Sequence, residues 1–247
     1  MISIKTKEEI EIMKSGGKIL AKIMKELEKE VKPGITTNYL DKAASSLVFK
    51  YGAKPSFKGY DNFPAVVCTS VNEEVVHIPP SERILKEGDI IVLDLGIKYK
   101  GFHTDTASTI PVGKIDPEAL RLIKATKKAL KRGIKKAVIG NTFGDIGNTI
   151  QRYVESQGFN IVRDLCGHGI GRELHEDPQI LNYGKRKTGP VIKKGMVFAL
   201  EPITTSGDYK IKKTETGGYK TRDNSLSAHF EHTLAITEKG TEILTEL

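Results

Sequence analysis

Two segments of the sequence, KEGDIIVLDLG at 86–96 and KKGMVFALEPI at 193–203, align without a gap. Each contains a short apolar run typical of a buried strand, and each run is interrupted by an acidic residue, Asp94 in the first and Glu201 in the second. Charged side chains are rarely buried unless they are paired or bind a metal. A solvated strand end or a salt bridge would explain one such residue, but the same anomaly at matched positions favours a shared function.

The repeat extends to the segments that precede these strands. Residues 33–52 align with residues 139–158, and both have a helical pattern that begins after a threonine and ends at a glycine. Each follows another helical pattern, over residues 6–31 and 117–139, which opens with N-capping residues. The sequence therefore predicts one unit over residues 1–247 with two pseudo-symmetric halves, each containing a helix pair followed by strands.

Each of the two strands leads to a second strand with another carboxylate. If a two-residue turn lies at Tyr99-Lys100, Asp94 and Asp105 lie opposite each other on one face of a hairpin. In the second half, Glu201 is followed by a polar, glycine-rich loop and then by a strand in which Glu231 corresponds to Asp105. Four carboxylates that converge in this way either take up protons or bind cations.

The stretch DLCGHGIGRELHEDP at 164–178 adds two histidines, His168 and His175. The glycines on both sides of His168 let the backbone approach closely, so its imidazole could complete a site for two divalent cations. A histidine between two glycines is more often structural, but the four matched carboxylates favour a ligand. His175 lies outside the glycine run and is better placed to contact a substrate. We expect the other candidates to be structural or solvent-facing: His103, His229 and His232.

The order Asp94, Asp105, His168, Glu201, Glu231 resembles the five-ligand dinuclear metal set of the methionine aminopeptidases, in metallopeptidase family M24. Three segments are similar to the type I, bacterial-type enzymes: VVCTSVNEEVVHIPP, GHGIGRELHEDPQILNYG and SLSAHFEHT. The resemblance covers essentially the whole chain. It implies an α+β pita-bread fold, as in proline-specific aminopeptidases and creatinase, and removal of initiator methionine from nascent proteins with a small second residue preferred.

The resemblance also implies a role for each metal ligand. Asp94 would chelate one ion, Asp105 and Glu231 would bridge two, and His168 and Glu201 would hold the second. Glu201 would in addition act as the general base. The two divalent ions could be cobalt, manganese, iron(II) or zinc, because a carboxylate-rich site with one histidine accepts all of them.

On the substrate side, the resemblance implies that His77 and His175 flank the scissile bond. Tyr60, Phe63 and Cys68 would line the methionine pocket. The chain departs from the family at several pocket positions without losing a ligand: Ile78-Pro79-Pro80 replaces Gly-Ile-Pro, Thr104 replaces a glycine, Leu165 replaces an aromatic residue, and there is no tryptophan.

Composition narrows the class of protein and its partners. With 38% hydrophobic residues and a mean hydropathy of −0.31, the chain is expected to be a soluble globular protein, and its two cysteines cannot form a disulfide framework. The charged start MISIKTKEEI is unlike a signal peptide, so we expect a cytoplasmic monomer that acts on the N-termini of nascent polypeptides. Its net charge of +8 either confers solubility or attracts ribosomal RNA, whereas neither DNA nor a membrane is an expected partner.

Two other functions compete with this interpretation. A proline-specific aminopeptidase or dipeptidase would keep the same metals, but those enzymes usually have an additional N-terminal domain. A catalytically inactive RNA-binding module on the same scaffold would be expected to lose metal ligands, and all five are present here.

Overall fold

Four helices, arranged in two pairs, are present in the computed structural model, which describes residues 1–247. They are α1 (Lys7–Glu30), α2 (Thr37–Lys50), α3 (Pro117–Ile134) and α4 (Phe143–Ser156). The predicted capping box of α1 forms between Thr6 and Glu9. Helix α3 ends at Ile134 rather than at residue 139, because the amides of Lys136 and Ala137 both bond to the carbonyl of Gly133 and close a turn. No helix is both long enough and apolar enough to cross a membrane.

The strands fall into the two halves of the chain. The first half contains β1 (Lys54–Pro55), β2 (Cys68–Val71), β3 (Glu74–Val76), β4 (Ile90–Tyr99) and β5 (Phe102–Pro111). The second half contains β6 (Asn160–Ile161), β7 (Gly167–Gly169), β8 (Glu176–Ile180), β9 (Val197–Leu200), β10 (Ile203–Thr205), β11 (Ile211–Lys213), β12 (Tyr219–Thr221), β13 (Ser227–His229), β14 (Glu231–Thr237) and β15 (Gly240–Ile243).

One nine-stranded antiparallel sheet spans both halves. Its order is β1-β4-β5-β14-β9-β7-β8, with β2 paired to β4 and β15 paired to β14. Two three-stranded sheets, β13-β10-β6 and β11-β12-β3, flank it. Because β14 pairs with β5 on one side and with β9 on the other, the centre of the large sheet joins the two halves.

The helices cover one face of this sheet and so determine which side chains reach the other. Leu93 and Leu95 of β4 are fully buried in a cluster with residues of α1 and α2. Leu234 of β14 is fully buried in a second cluster, with residues of α3 and α4. Each such side chain contributes about 1.5–3 kcal/mol. Since side chains alternate along a strand, Asp94 and Glu231 face away from the helices.

The hairpin of β4 and β5 differs from the predicted register. Its turn lies at Lys100-Gly101, with φ of 47° and 89°, rather than at Tyr99-Lys100. Positive φ at both turn residues is typical of a type I′ turn, in which glycine is favoured at the second position. Asp94 therefore pairs with Ala107, and Asp105 pairs with Gly96. Because the shift is two residues, both carboxylates stay on one face, as diagonal neighbours.

Candidate metal centre

Two adjacent rows of the central sheet carry the five predicted metal ligands. In the first row, Ala107 of β5 pairs with Asp94 on one side and with Glu231 on the other. Glu201 directly follows the end of β9, next to the start of β14. These three carboxylates therefore lie side by side across β4, β14 and the end of β9.

The second row lies two residues further along the strands and holds Asp105 and His168. His168 pairs with Ala199, which also pairs with Thr233 of β14. The Asp105 amide donates to the Thr233 hydroxyl over 2.9 Å, and that hydroxyl donates to the Asp105 carbonyl over 2.8 Å. Residues two apart in a strand share a face, so both rows project into one cavity.

All ten residues predicted for the site line a single cavity of about 620 Å³. The metal-ligand candidates among them are Asp94, Asp105, His168, Glu201 and Glu231, and the substrate-side candidates are His77, His175, Tyr60, Phe63 and Cys68.

The carboxylates form a buried anionic cluster. One ligand atom each from Asp105, His168 and Glu231 lies within 4.8 Å of the others. Asp94 Oδ1 and Glu231 Oε1 are buried without a hydrogen-bond partner. Burial raises the pKa of Asp94 to about 7, and burial, followed by repulsion between the carboxylates, raises the pKa of Asp105 well above its ordinary value. Carboxyl groups that are buried and unpaired in this way resist ionisation unless a cation compensates their charge, so the donor set fits a divalent metal.

His168 is held in the state that a metal ligand requires. Its Nδ1–H donates to the Gly169 carbonyl over 2.9 Å, which leaves the Nε2 lone pair on the cavity side, 3.6 Å from Glu201 Oε1. Burial lowers the pKa of His168 to about 4, so the ring is neutral at pH 7. A Cβ on Gly167 would collide with the Ala199 carbonyl, so the glycine is needed for the close approach of β7 to β9.

The substrate-side residues surround the mouth and one wall of the cavity. His175 Nδ1 lies 2.8 Å from the Tyr60 hydroxyl, and the His175 ring packs edge-on against the His168 ring at 4.4 Å between centroids. His77 follows β3 with a φ of 58°. Cys68 is buried and pairs with Asp94, which places its side chain in the first carboxylate row. Phe63 is half-buried and also lines the cavity.

The structure narrows the expectation for His229, which was that it is structural or solvent-facing, to a buried position. His229 is neither solvent-facing nor remote from the site: it is 1% exposed, lines the cavity, and places Nε2 3.7 Å from Glu201 Oε2. No local pattern of the sequence predicts this position, because His229 ends β13 and Glu231 begins β14, and these strands belong to different sheets. His103 and His232 are structural, bonded to the hydroxyls of Ser56 and Thr245 at 2.8 Å and 2.9 Å.

Comparison with known proteins decides the family. The model of metallopeptidase family M24 matches residues 11–238. The chain belongs to this family. Among M24 proteins, the methionine aminopeptidase of Clostridium acetobutylicum is 50% identical over 99% of both chains. The crystal structure of the Thermotoga maritima methionine aminopeptidase is 46% identical, covers 100% of both chains and superposes with a TM-score of 0.98.

A more distant M24 structure supports the fold. The prolidase of Pyrococcus furiosus superposes with a TM-score of 0.79 at 26% identity, and the match covers 99% of this chain but only 65% of the prolidase. The pita-bread fold predicted from the resemblance is therefore confirmed. The full-length similarity to methionine aminopeptidases also confirms the predicted enzyme class, a metalloaminopeptidase that uses divalent metal.

Proposed function

We propose that this protein removes the N-terminal initiator methionine from nascent polypeptides, uses two divalent ions, and prefers a small second residue. The observation that carries this proposal is the convergence of four carboxylates and one imidazole in one cavity. The full-length similarity to methionine aminopeptidases supports it. Five side chains on two sheet rows offer enough donor atoms for two ions, which could be cobalt, manganese, iron(II) or zinc.

The proposed ligands would be shared between two ions. Asp94 would hold one ion, His168 and Glu201 would hold the other, and Asp105 and Glu231 would contribute to holding both. In support of this, Asp105 and Glu231 come from the two neighbouring central strands β5 and β14. When bound, such ions lower the pKa of a coordinated water and polarise a substrate carbonyl.

Three side chains take part in the reaction: one accepts the proton of the attacking water, and two bind the substrate carbonyl oxygen and the scissile amide. The Glu201 carboxylate takes the proton from the attacking water as general base. His175 stabilises the oxyanion of the substrate carbonyl, with Nδ1 facing Tyr60 and Nε2 as the ring nitrogen left for the substrate. His77, at the cavity mouth, hydrogen-bonds the scissile amide or its departing nitrogen.

Specificity arises from the shape and polarity of the cavity walls. Tyr60, Phe63 and the buried Cys68 offer an apolar surface for a methionine side chain. His77 and His175 stand at the mouth, where a bulky second residue would collide with them. A small second residue is therefore preferred.

The decisive experiment measures hydrolysis and metal content together. Protein purified without chelator is expected to contain two divalent ions per chain and to release methionine from Met-Ala-Ser faster than from Met-Leu-Ser. Preferential cleavage of Xaa-Pro peptides would instead support a proline-specific enzyme. Absence of hydrolysis with every candidate metal would support an inactive binding module.

We also propose that residues 1–247 form one catalytic unit with an internal duplication, and that it works as a cytoplasmic monomer. Both halves supply ligands to the same cavity: Asp94 and Asp105 come from the first, and His168, Glu201 and Glu231 from the second. Analytical ultracentrifugation at micromolar concentration is expected to give the monomer mass.

We also propose that this protein interacts transiently with the ribosome. The net charge is +8, and the β11–β12 hairpin, whose loop lines the cavity at Thr216 and Gly217, carries with its flanks more basic than acidic residues: Lys210, Lys212, Lys213, Lys220 and Arg222 against Asp208, Glu215 and Asp223. Such a surface attracts ribosomal RNA independently of its sequence, and the attraction weakens steeply with salt. We expect co-sedimentation with large ribosomal subunits at low salt and its loss at high salt, while peptide hydrolysis changes far less. Absence of co-sedimentation at low salt would refute ribosome binding alone.

A further inference from the structure

His229 is a buried imidazole without a hydrogen-bond partner. Its side chain is 1% exposed, and neither Nδ1 nor Nε2 has a partner. A buried polar group without a partner costs free energy, so such a group in a cavity wall calls for a functional explanation. The backbone of His229 is fixed in both directions by Thr109, whose hydroxyl accepts from the His229 amide at 2.9 Å and donates to its carbonyl at 2.8 Å.

The ring of His229 faces Glu201, and Glu201 lies between two imidazoles. Glu201 Oε2 is 3.7 Å from His229 Nε2, and Glu201 Oε1 is 3.6 Å from His168 Nε2. The two rings differ in one respect. The Nδ1–H of His168 donates to the Gly169 carbonyl, so Nε2 of this ring presents a lone pair. Nδ1 of His229 has no such acceptor, so the proton of its neutral ring can lie on Nε2.

We propose that His229 is a positioning residue for Glu201: its Nε2–H donates a hydrogen bond to Glu201 Oε2 and thereby directs Oε1 toward the ligand side of the cavity. The role rests on the function proposed above. A contraction of less than about 1 Å would turn the 3.7 Å separation into a hydrogen bond, and catalytic hydrogen bonds often shorten on ligand binding.

The hydrogen bond from His229 restricts the orientation of the Glu201 carboxylate, which is proposed both to contact a metal and to act as the general base. Without a donor on Oε2, Glu201 would sample other side-chain orientations, and both its contact with a metal and its alignment with the attacking water would suffer. Loss of a group that orients a metal ligand typically reduces metal affinity or activity by about 10- to 100-fold. Substrate binding should change little, since the contact that His229 makes is with Glu201.

Three substitutions separate a positioning role from a packing role. H229Q can place an amide N–H near the former Nε2, H229N can place one only near the former Nδ1, and H229M has no donor at similar volume. We expect kcat on Met-Ala-Ser to fall by about 10- to 100-fold in H229M and H229N, with KM within about twofold of wild type, and H229Q to recover most of the loss.

Metal binding to the chelator-treated protein gives an independent readout. Calorimetric titration with Mn²⁺ should show an affinity lowered by about tenfold for one of the two ions in H229M and H229N, and closer to wild type in H229Q. Equal losses in H229Q and H229N, an effect on KM alone, or unchanged metal affinity in H229N would overturn the proposal. If H229M does not fold, the H229Q–H229N comparison decides. A wild-type protein inactive on Met-Ala-Ser would contradict the proposed function, while the calorimetric comparison would still test the contact.

Discussion

Replacing Lys5 with methionine should destabilise the protein through a buried ion pair next to the site. Lys5 precedes α1, and its ammonium pairs with the carboxylate of Glu176, with side chains 3% and 13% exposed. Glu176 directly follows His175, lines the cavity and accepts a hydrogen bond from the Glu173 amide at 3.3 Å. The pair therefore ties the chain before α1 to the loop that carries His175.

The expected loss of stability in K5M follows from the burial of Glu176, the partner that remains. Removing one member of a buried ion pair costs about 3–5 kcal/mol, because the other charge is left uncompensated. Since Glu176 keeps 13% exposure, we expect a value near the lower end, about 3 kcal/mol. For a chain of this length, each kcal/mol lowers Tm by roughly 2–4 °C, so K5M should melt roughly 6–12 °C below wild type.

Thermal melts followed by circular dichroism test this value, with K194M as the matched control. The Lys194–Glu238 pair is exposed, with side chains 59% and 76% accessible, so its loss should leave Tm unchanged within error. The double variant K5M/E176Q should regain part of the lost stability, because no uncompensated charge remains. A Tm for K5M equal to that of K194M would refute the reasoning, and so would a double variant less stable than K5M.

Three further predictions concern the chemistry. E201Q should fold normally yet lose about 10²- to 10⁴-fold in kcat, since an amide cannot accept the proton of the attacking water; a near-wild-type rate on Met-Ala-Ser would reassign the general base. H175A should lower kcat by about 10²- to 10³-fold and change KM less, whereas an effect on KM alone would place His175 in ground-state binding. In the metal-free protein, burial raises the pKa of Asp94 to about 7, so the contribution of this group to stability is fully present below about pH 4 and is lost progressively as pH rises through 7. The gain in Tm from Mn²⁺ over chelator should therefore be larger at about pH 8 than at about pH 5.5, and a gain independent of pH would contradict it.

Local patterns in the sequence were sufficient for the parts of the site that repeat. Asp94 and Glu201 stand at aligned positions in the two similar sequence segments, and for Asp94 in β4 strand alternation alone predicts the face opposite its apolar neighbours, while Glu201 directly follows β9. The helix starts could be predicted for a similar reason, because capping residues such as Thr6 act within one turn, whereas the end of α3 was placed too late. The hairpin register was missed by two residues because Lys100-Gly101, rather than Tyr99-Lys100, adopts the positive φ values of the turn.

Contacts between distant segments could not be predicted in this way. The partners Lys5 and Glu176 are 171 residues apart, and no local periodicity relates them. The environment of His229 depends on the pairing of β13 with β10 and on the position of Glu201, both of which are set by the assembled sheets. The sequence could therefore identify the chemical groups of the site, but not which of them contact one another.

The position of β14 has a consequence for the timing of folding during translation. The strand between β5 and β9 is residues 231–237, so the ribosome makes the middle of the sheet after both of its neighbours. Until then the facing edges of β5 and β9 have no partner, and Asp94 and Asp105 have no counterpart in Glu231. Because the pairings that close the sheet join residues far apart in the chain, they form late and slowly. A chain that is still being synthesised therefore lacks Glu231, and the cavity proposed to bind the metals is complete only after residues 231–237 have been made and have paired with β5 and β9.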